Sequence, residues 1–177
     1  MSDARRLRPI QVLLSAAGFV LAVDQLTKWI VRLKLPQQTD EYIVLDGFFR
    51  FVHWGNTGAA WSLLQHNNGL LAVFSSAAIF ALWHFRRHFE YHRRAGQLAL
   101  GLLFGGIIGN LLDRLVHTHV VDFLRFYWTT RTGAEIGFPA FNVADSAICT
   151  AVGILILLSW SASPAPPAPA GSAPKGE

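Results

Sequence analysis

A chain of 177 residues with 52% hydrophobic and only 15% charged side chains departs from soluble domains, in which charged residues make up about a quarter. The length suits one compact membrane domain, and the formal net charge of +4 comes from basic residues beside apolar runs, which fits positive-inside topology better than nucleic-acid binding. The lone cysteine, Cys149, excludes an intramolecular disulfide and a cysteine-based metal cluster.

Arg5, Arg6 and Arg8 precede the apolar run Ile10 to Val23. A cleavable signal peptide has this outline. Here, however, apolar character resumes after Asp24-Gln25 through Trp29, Ile30, Val31 and Leu33, and no small-x-small site leads into a polar mature start. The segment is expected to be a first transmembrane helix over 10–33, with Asp24 and Lys28 four apart on one face. From Leu35 the chain leaves the membrane. Asp46-Gly47 is a turn signal between Tyr42–Leu45 and Phe48–Trp54, both rich in β-formers, so a small hairpin is expected. Gly55 to Ser62 reads as a flexible turn into a short interfacial helix, with aromatics suited to the headgroup belt.

A second span is expected over 70–85, followed by Arg86, Arg87, Arg93 and Arg94 in a cytoplasmic connector. His84, His88 and His92 recur every four residues, but the neighbouring arginines oppose a bound cation. The third span, 98–116, carries Gly101, Gly105 and Gly109 as a stripe that lets another helix approach closely. Asp113 continues that row, and Asn110 and Arg114 form the adjacent i, i+4 pair. Residues 117–140 form a second outer loop with a β-like Val120 to Trp128. The fourth span is expected over 142–160. Residues 1–160 make one domain, and the Pro/Ala/Ser-rich 161–177 reads as a disordered tail.

The arginines put the N-terminus and the connector between spans two and three in the cytoplasm, so both termini lie inside and both β-like loops outside. At about 1.5 Å of rise per residue, Asp24 lies about 13 Å and Lys28 about 7 Å below the outer end of the first span. Asn110, Asp113 and Arg114 fall within about 10 Å of the outer end of the third, and Asp145 about 5 Å into the fourth. The inner halves are nearly all apolar. Polar residues gathered at one depth on three helices point to a single site, since an intramembrane acid calls for a function or a partner.

No histidine accompanies an intramembrane serine at comparable depth, and neither Ser62 nor Ser146 has an evident base. Cys149, one turn below Asp145 on the same face, has no cation near it and reads as packing. The outer layer does hold carboxylates: Asp24, Asp113, Asp122 and Asp145. Two carboxylates about 4 Å apart would repel by about 4 kcal/mol if both were charged, so such a pair shares a proton near neutral pH. An ionised and a protonated acid side by side can activate water and polarise a carbonyl. Asp24 has Lys28 and Asp113 has Arg114 by local spacing. Asp122 and Asp145 have no such neighbour and are the better candidates for a dyad.

Five ordered blocks closely resemble the lipoprotein signal peptidases: Asp24–Lys28 (DQLTK), Asn56–Ala60 (NTGAA), Gly105–Arg114 (GGIIGNLLDR), Val121–Phe123 (VDF) and Phe141–Ser146 (FNVADS). The resemblance implies an all-α integral membrane fold of four transmembrane helices with a small extracytoplasmic β-cradle. It implies a bacterial inner-membrane aspartyl endopeptidase that cuts prolipoproteins before a diacylglyceryl-modified cysteine. By position, Asp122 and Asp145 become the catalytic pair. Asn56, Asn110, Asp113, Arg114 and Asn142 line or support the substrate pocket, and Asp24 with Lys28 holds the helices. The expected partners are lipid-modified signal peptides and membrane lipids. No cofactor, metal or nucleic acid is expected, and the chain is expected to be a monomer. Trp61 and Ile107-Ile108 depart from the family pattern by apolar exchanges.

Three other readings weigh less. His117, His119 and Asp122 have metal-like spacing, but surface histidines in an outer loop are commoner. A proton-coupled or cation transporter would carry polar residues through the full membrane depth and often shows inverted repeats. A non-enzymatic assembly factor would not need two unpaired acids at one depth.

Overall fold

The structure, a computed structural model, describes residues 9–36, 39–58, 67–89 and 91–161. The basic N-terminal residues, the expected interfacial helix with Trp61, and the Pro/Ala-rich tail beyond 161 lie outside the described residues. Helix α1 runs over Pro9–Lys34, strands β1 and β2 over Glu41–Leu45 and Phe49–Asn56, and α2 over Asn68–Phe85. A 3-10 turn at Arg86–His88 leads to α3 (Arg94–His117), β3 (Val120–Thr129), β4 (Glu135–Gly137) and α4 (Val143–Ser161). Four helices among the described residues are long and apolar enough to cross a membrane.

Helix α3 is the hub: α1, α2 and α4 all pack on it. Glycine explains how closely. A Cβ at Gly101 would stand 2.6 Å from the Leu13 carbonyl oxygen, and one at Gly105 2.7 Å from that of Ala17, so this stripe is the seat of α1. Gly106, one position on, turns to α4, where a Cβ would meet the Ala144 carbonyl oxygen at 2.6 Å. Backbone cannot retreat as a side chain can. Gly105→Val therefore forces α1 off α3 and costs about 1–3 kcal/mol or more, whereas Gly153→Ala, which meets nothing within 4 Å, is tolerated. Thermal unfolding of the two variants in detergent separates them, and equal unfolding temperatures would contradict this packing.

Helix α3 begins at Arg94, ahead of the expected Leu98, because polarity alone does not end a helix. The Gln97 amide N–H bonds back to the Arg93 carbonyl, and the buried Gln97 side chain donates to the Tyr91 carbonyl at 2.9 Å. At the far end, Asn68 at the start of α2 donates to the Arg114 carbonyl at 2.9 Å, tying two helix ends together.

The expected hairpin forms, with Tyr42 opposite Phe51 and Gly47 in the left-handed conformation (φ +70°) that the turn needs. The larger finding is that the segments joining α1 to α2 and α3 to α4 build one antiparallel sheet in the order β1-β2-β3-β4. Gly55 and Asn56, expected in a flexible turn, are instead the end of β2, paired with Val121 and Val120. Such a pairing joins residues more than sixty apart and leaves no local signal. An isolated bridge then joins Leu124 to Phe141. The N–H groups of Phe123 and Leu124 donate to the Phe141 carbonyl at 3.0 and 2.9 Å, and Phe141 N–H returns a bond to Leu124 at 3.1 Å. This bridge sets the first turn of α4 beside the strand that carries Asp122.

Candidate active site

A cleft of about 620 Å³ opens where α3, α4, β2 and β3 meet, and Asp122 and Asp145 both line it, with Asn56, Asn110 and Arg114. Asn142 is wholly buried immediately behind them. Asp113, Asp24 and Lys28 do not reach the cleft; they form a second buried layer beneath it.

Asn142 caps α4. Its side-chain oxygen accepts the Asp145 N–H at 3.0 Å, while its own N–H donates to Asp145 Oδ2 at 3.2 Å. This is a reciprocal capping box with aspartate in the third helical position. The spacing N-x-x-D before an apolar run carried that signal in the sequence, which shows there only as an acid inside a span. The box fixes the Asp145 rotamer and leaves the Asn142 Nδ2 free to donate to Asp122 Oδ1 at 2.7 Å. One side chain thus holds both aspartates.

The remaining carboxylate oxygens also meet neutral amides. Asn56 Nδ2 donates to Asp122 Oδ2 at 3.0 Å, and Asn110 Nδ2 donates to Asp145 Oδ1 at 2.8 Å. In each amide a donor fixes which end points where. Gly58 N–H occupies the Asn56 oxygen at 2.9 Å, and Lys28 Nζ occupies that of Asn110 at 2.9 Å. Both nitrogens are thereby turned toward the carboxylates, the kind of network from which amide orientation is assigned. None of the ion pairs among the described residues includes either aspartate. Arg114, on the cleft wall, donates to the Asn110 and Gly58 carbonyls at 3.2 Å each.

Burial first, then the nearby charge of Asp145, push the Asp122 carboxyl up from the ordinary aspartate range to about 7, against the opposing pull of Asn56, Asn142 and the Lys28 charge. Neutral donors hold a carboxyl in place without forcing it to ionise as a contacting cation would.

Lys28 is the centre of the layer beneath. Its ammonium lies 2.8 Å from Asp24 Oδ2 and 2.9 Å from Asp113 Oδ2, all three side chains being fully buried. The local pairing of Asp113 with Arg114 suggested by their adjacency gives way to this bond across helices. Asp113 also accepts the Val121 N–H at 3.1 Å, and Asp24 accepts the Ala144 N–H at 2.9 Å, so the pair holds the strand before Asp122 and the helix turn before Asp145. Gln25 completes the cluster, donating to Asp24 and Asp113 at 3.1 Å each and to the Gly109 carbonyl at 3.2 Å. The sequence reading passed over Gln25, although an amide beside an acid inside an apolar helix is a signal of the same kind. Cys149, expected to be packed, is exposed on the cleft wall, because among the described residues no helix covers that side of α4.

Asn142→Ser separates the two duties of Asn142. Serine keeps a helix cap, so stability falls by no more than about 1 kcal/mol, but it cannot reach Asp122 as the amide does. Unfolding temperature changes little while turnover falls; an Asn142→Ser protein with normal turnover would remove the amide from the site's working parts.

Residues 16–161 match the family described as Signal peptidase (SPase) II. The chain is 38% identical over 159 residues to a lipoprotein signal peptidase of Syntrophotalea carbinolica, covering 88% of this chain and 94% of that one. It is 36% identical over 137 residues to one of Symbiobacterium thermophilum, covering 77% and 86%. Among solved structures, a bacterial membrane enzyme determined by the in meso method at 2.3 Å superposes with a TM-score of 0.71 at 30% identity, over 84% of this chain and 87% of that one. A cleft walled by four elements, four membrane-length helices and relatives matched over nearly their whole length lead to one conclusion: the chain belongs to the signal peptidase II family.

Proposed function

We propose that the chain is an inner-membrane aspartyl endopeptidase that removes signal peptides from bacterial prolipoproteins, cutting before the diacylglyceryl-modified cysteine. The substrate class follows from the relatives named as lipoprotein signal peptidases. The observation that carries the mechanism is the pair of acids, each held among the described residues by neutral amides, on the wall of one cleft.

The chemistry needs one proton between the two acids. The ionised carboxylate takes a proton from a water molecule as its oxygen attacks the scissile carbonyl carbon. The protonated carboxyl gives its hydrogen to the carbonyl oxygen, which leaves a neutral tetrahedral diol. Collapse breaks the C–N bond, a proton passes to the departing amine of the cysteine, and the dyad regains its starting state. Asn142, Asn56 and Asn110 keep the carboxylates in register throughout, and Arg114 on the cleft wall binds a carbonyl of the substrate or the phosphate of a neighbouring lipid. In this reading both termini are cytoplasmic, the cleft lies near the outer face, residues 1–160 act as one monomeric domain, and membrane lipids surround it.

The test is cleavage of a lipidated prolipoprotein peptide by the purified protein in detergent, with and without a chelator. Cleavage before the lipidated cysteine, undiminished by chelator and absent for the unlipidated peptide, is the expected result. Loss of activity in chelator would overturn the two-acid mechanism, and equal cutting of both peptides would overturn the substrate class.

The pH dependence is fixed in sign. Because the Asp122 carboxyl is raised to about 7, the folded protein holds a proton that the unfolded chain loses at lower pH. That contribution to stability is full below the ordinary aspartate range and is lost as pH rises through about 7. Turnover declines over the same upper limb, as both acids become charged. A rate still rising well above that limb would exclude Asp122 as the proton holder.

A further inference from the structure

We propose that an apolar groove on the reverse face of β3 binds one acyl chain of an anionic phospholipid of the surrounding bilayer, with Lys34 at its mouth holding the phosphate. The groove, about 520 Å³, lies between the end of α1 and the sheet and is walled by Ile30, Val31, Tyr42, Phe51 and Phe123. Among the described residues no acidic side chain lines it. The acid on the adjoining strand, Glu41, is engaged with Arg50 at 3.2 Å.

Three features select the occupant. The groove opens beside the exposed Trp29, Ile30 and Leu33 of a membrane-length helix, so what enters it comes from the bilayer. Its walls suit a hydrocarbon chain, and even Thr27 presents no free hydroxyl, since its Oγ1 is bonded to the Val23 and Asp24 carbonyls at 2.8 and 2.9 Å. Lys34 is the last residue of α1, at the end packed against the sheet. Its long stem can lie along apolar surface while the ammonium meets a headgroup. The substrate's own chains are excluded by the strand itself. Successive side chains of a strand point to opposite faces, so Asp122 faces the cleft and Phe123 the groove, and β3 stands between them.

The test is native mass spectrometry of the full chain after titration in detergent with phosphatidylglycerol or phosphatidylcholine. Wild type is expected to retain one phosphatidylglycerol, preferred over phosphatidylcholine by about fivefold, the scale of one lysine near an anionic headgroup. Lys34→Gln levels the two lipids while unfolding at the wild-type temperature in detergent, which shows that it is folded. Ile30→Trp, which fills the groove, removes the adduct of either lipid. Equal retention of the two lipids by wild type, a preference that survives Lys34→Gln, or an adduct that survives Ile30→Trp overturns the proposal. So does displacement of the adduct by a lipidated peptide, which would make the groove part of the substrate site. Adduct mass is read without turnover, so the result stands apart from the fate of the two-acid mechanism.

Discussion

Asp145→Asn is expected to accumulate in the membrane and to lose prolipoprotein processing, with turnover down by about 10²- to 10⁴-fold, the range for loss of a general acid or base. The amide is isosteric and still accepts at one atom, so the capping box and the Asn110 contact lose at most one hydrogen bond between them. Asp122→Asn has the same effect on turnover and a different one on stability. In wild type, raising the pH through about 7 charges a carboxyl that is 3% exposed; the amide carries no such penalty. The unfolding temperature of Asp122→Asn therefore gains on that of wild type as pH rises from acidic to alkaline. Single-turnover cleavage with thermal unfolding of the same samples reads both quantities. Near-normal processing by either variant would end the case for the dyad, and a parallel pH course of stability would deny Asp122 its raised proton affinity.

Lys28→Met is expected to cost the most stability. It leaves Asp24 and Asp113 facing each other, wholly buried, with no counter-charge; orphaning one side of a buried pair costs about 3–5 kcal/mol. That is a large share of a folding free energy of about 5–15 kcal/mol. Asp24→Asn is milder, because Lys28 keeps Asp113 and the new amide oxygen can still accept the Ala144 N–H. The order of unfolding temperatures in detergent is thus wild type, Asp24→Asn, Lys28→Met. Turnover follows for a geometric reason: without the ammonium at 2.9 Å on its oxygen, Asn110 keeps the longer 3.3 Å bond from Asn142 Nδ2, and its amide is held less firmly toward Asp145. A Lys28→Met protein as stable as wild type would show that the charge cluster contributes nothing to the fold.

Much of the helical frame was legible in the chain because hydropathy and helix length are local properties. The four spans agree with the helices to within a few residues, the widest gap being at Arg94–Gln97, where backbone and side-chain hydrogen bonds extend the helix past its apolar part. The hairpin was legible for the same reason. The joining of β2 to β3 was not, since nothing near Gly55-Asn56 announces Val120 and Val121 as partners. Within the site, the absence of a nearby cation singled out Asp122 and Asp145. The same local rule misassigned Asp113, whose cation arrives from another helix. What sequence spacing could least convey is the amide bracket, because the direction of an Asn side chain is set by what occupies its oxygen.

The bridge between Leu124 and Phe141 has a consequence for how the protein can vary. Because the two backbones are clasped there, the excursion from Arg125 to Ala140, with its turn at Thr130–Gly133, leaves and returns at one fixed point. The spacing of Asp122 and Asp145 is therefore indifferent to the length of the turn at the tip of that excursion. This tip is free to lengthen, to shorten or to carry a label close to the cleft, whereas a single residue added between Phe141 and Asp145 would rotate the acid out of its place.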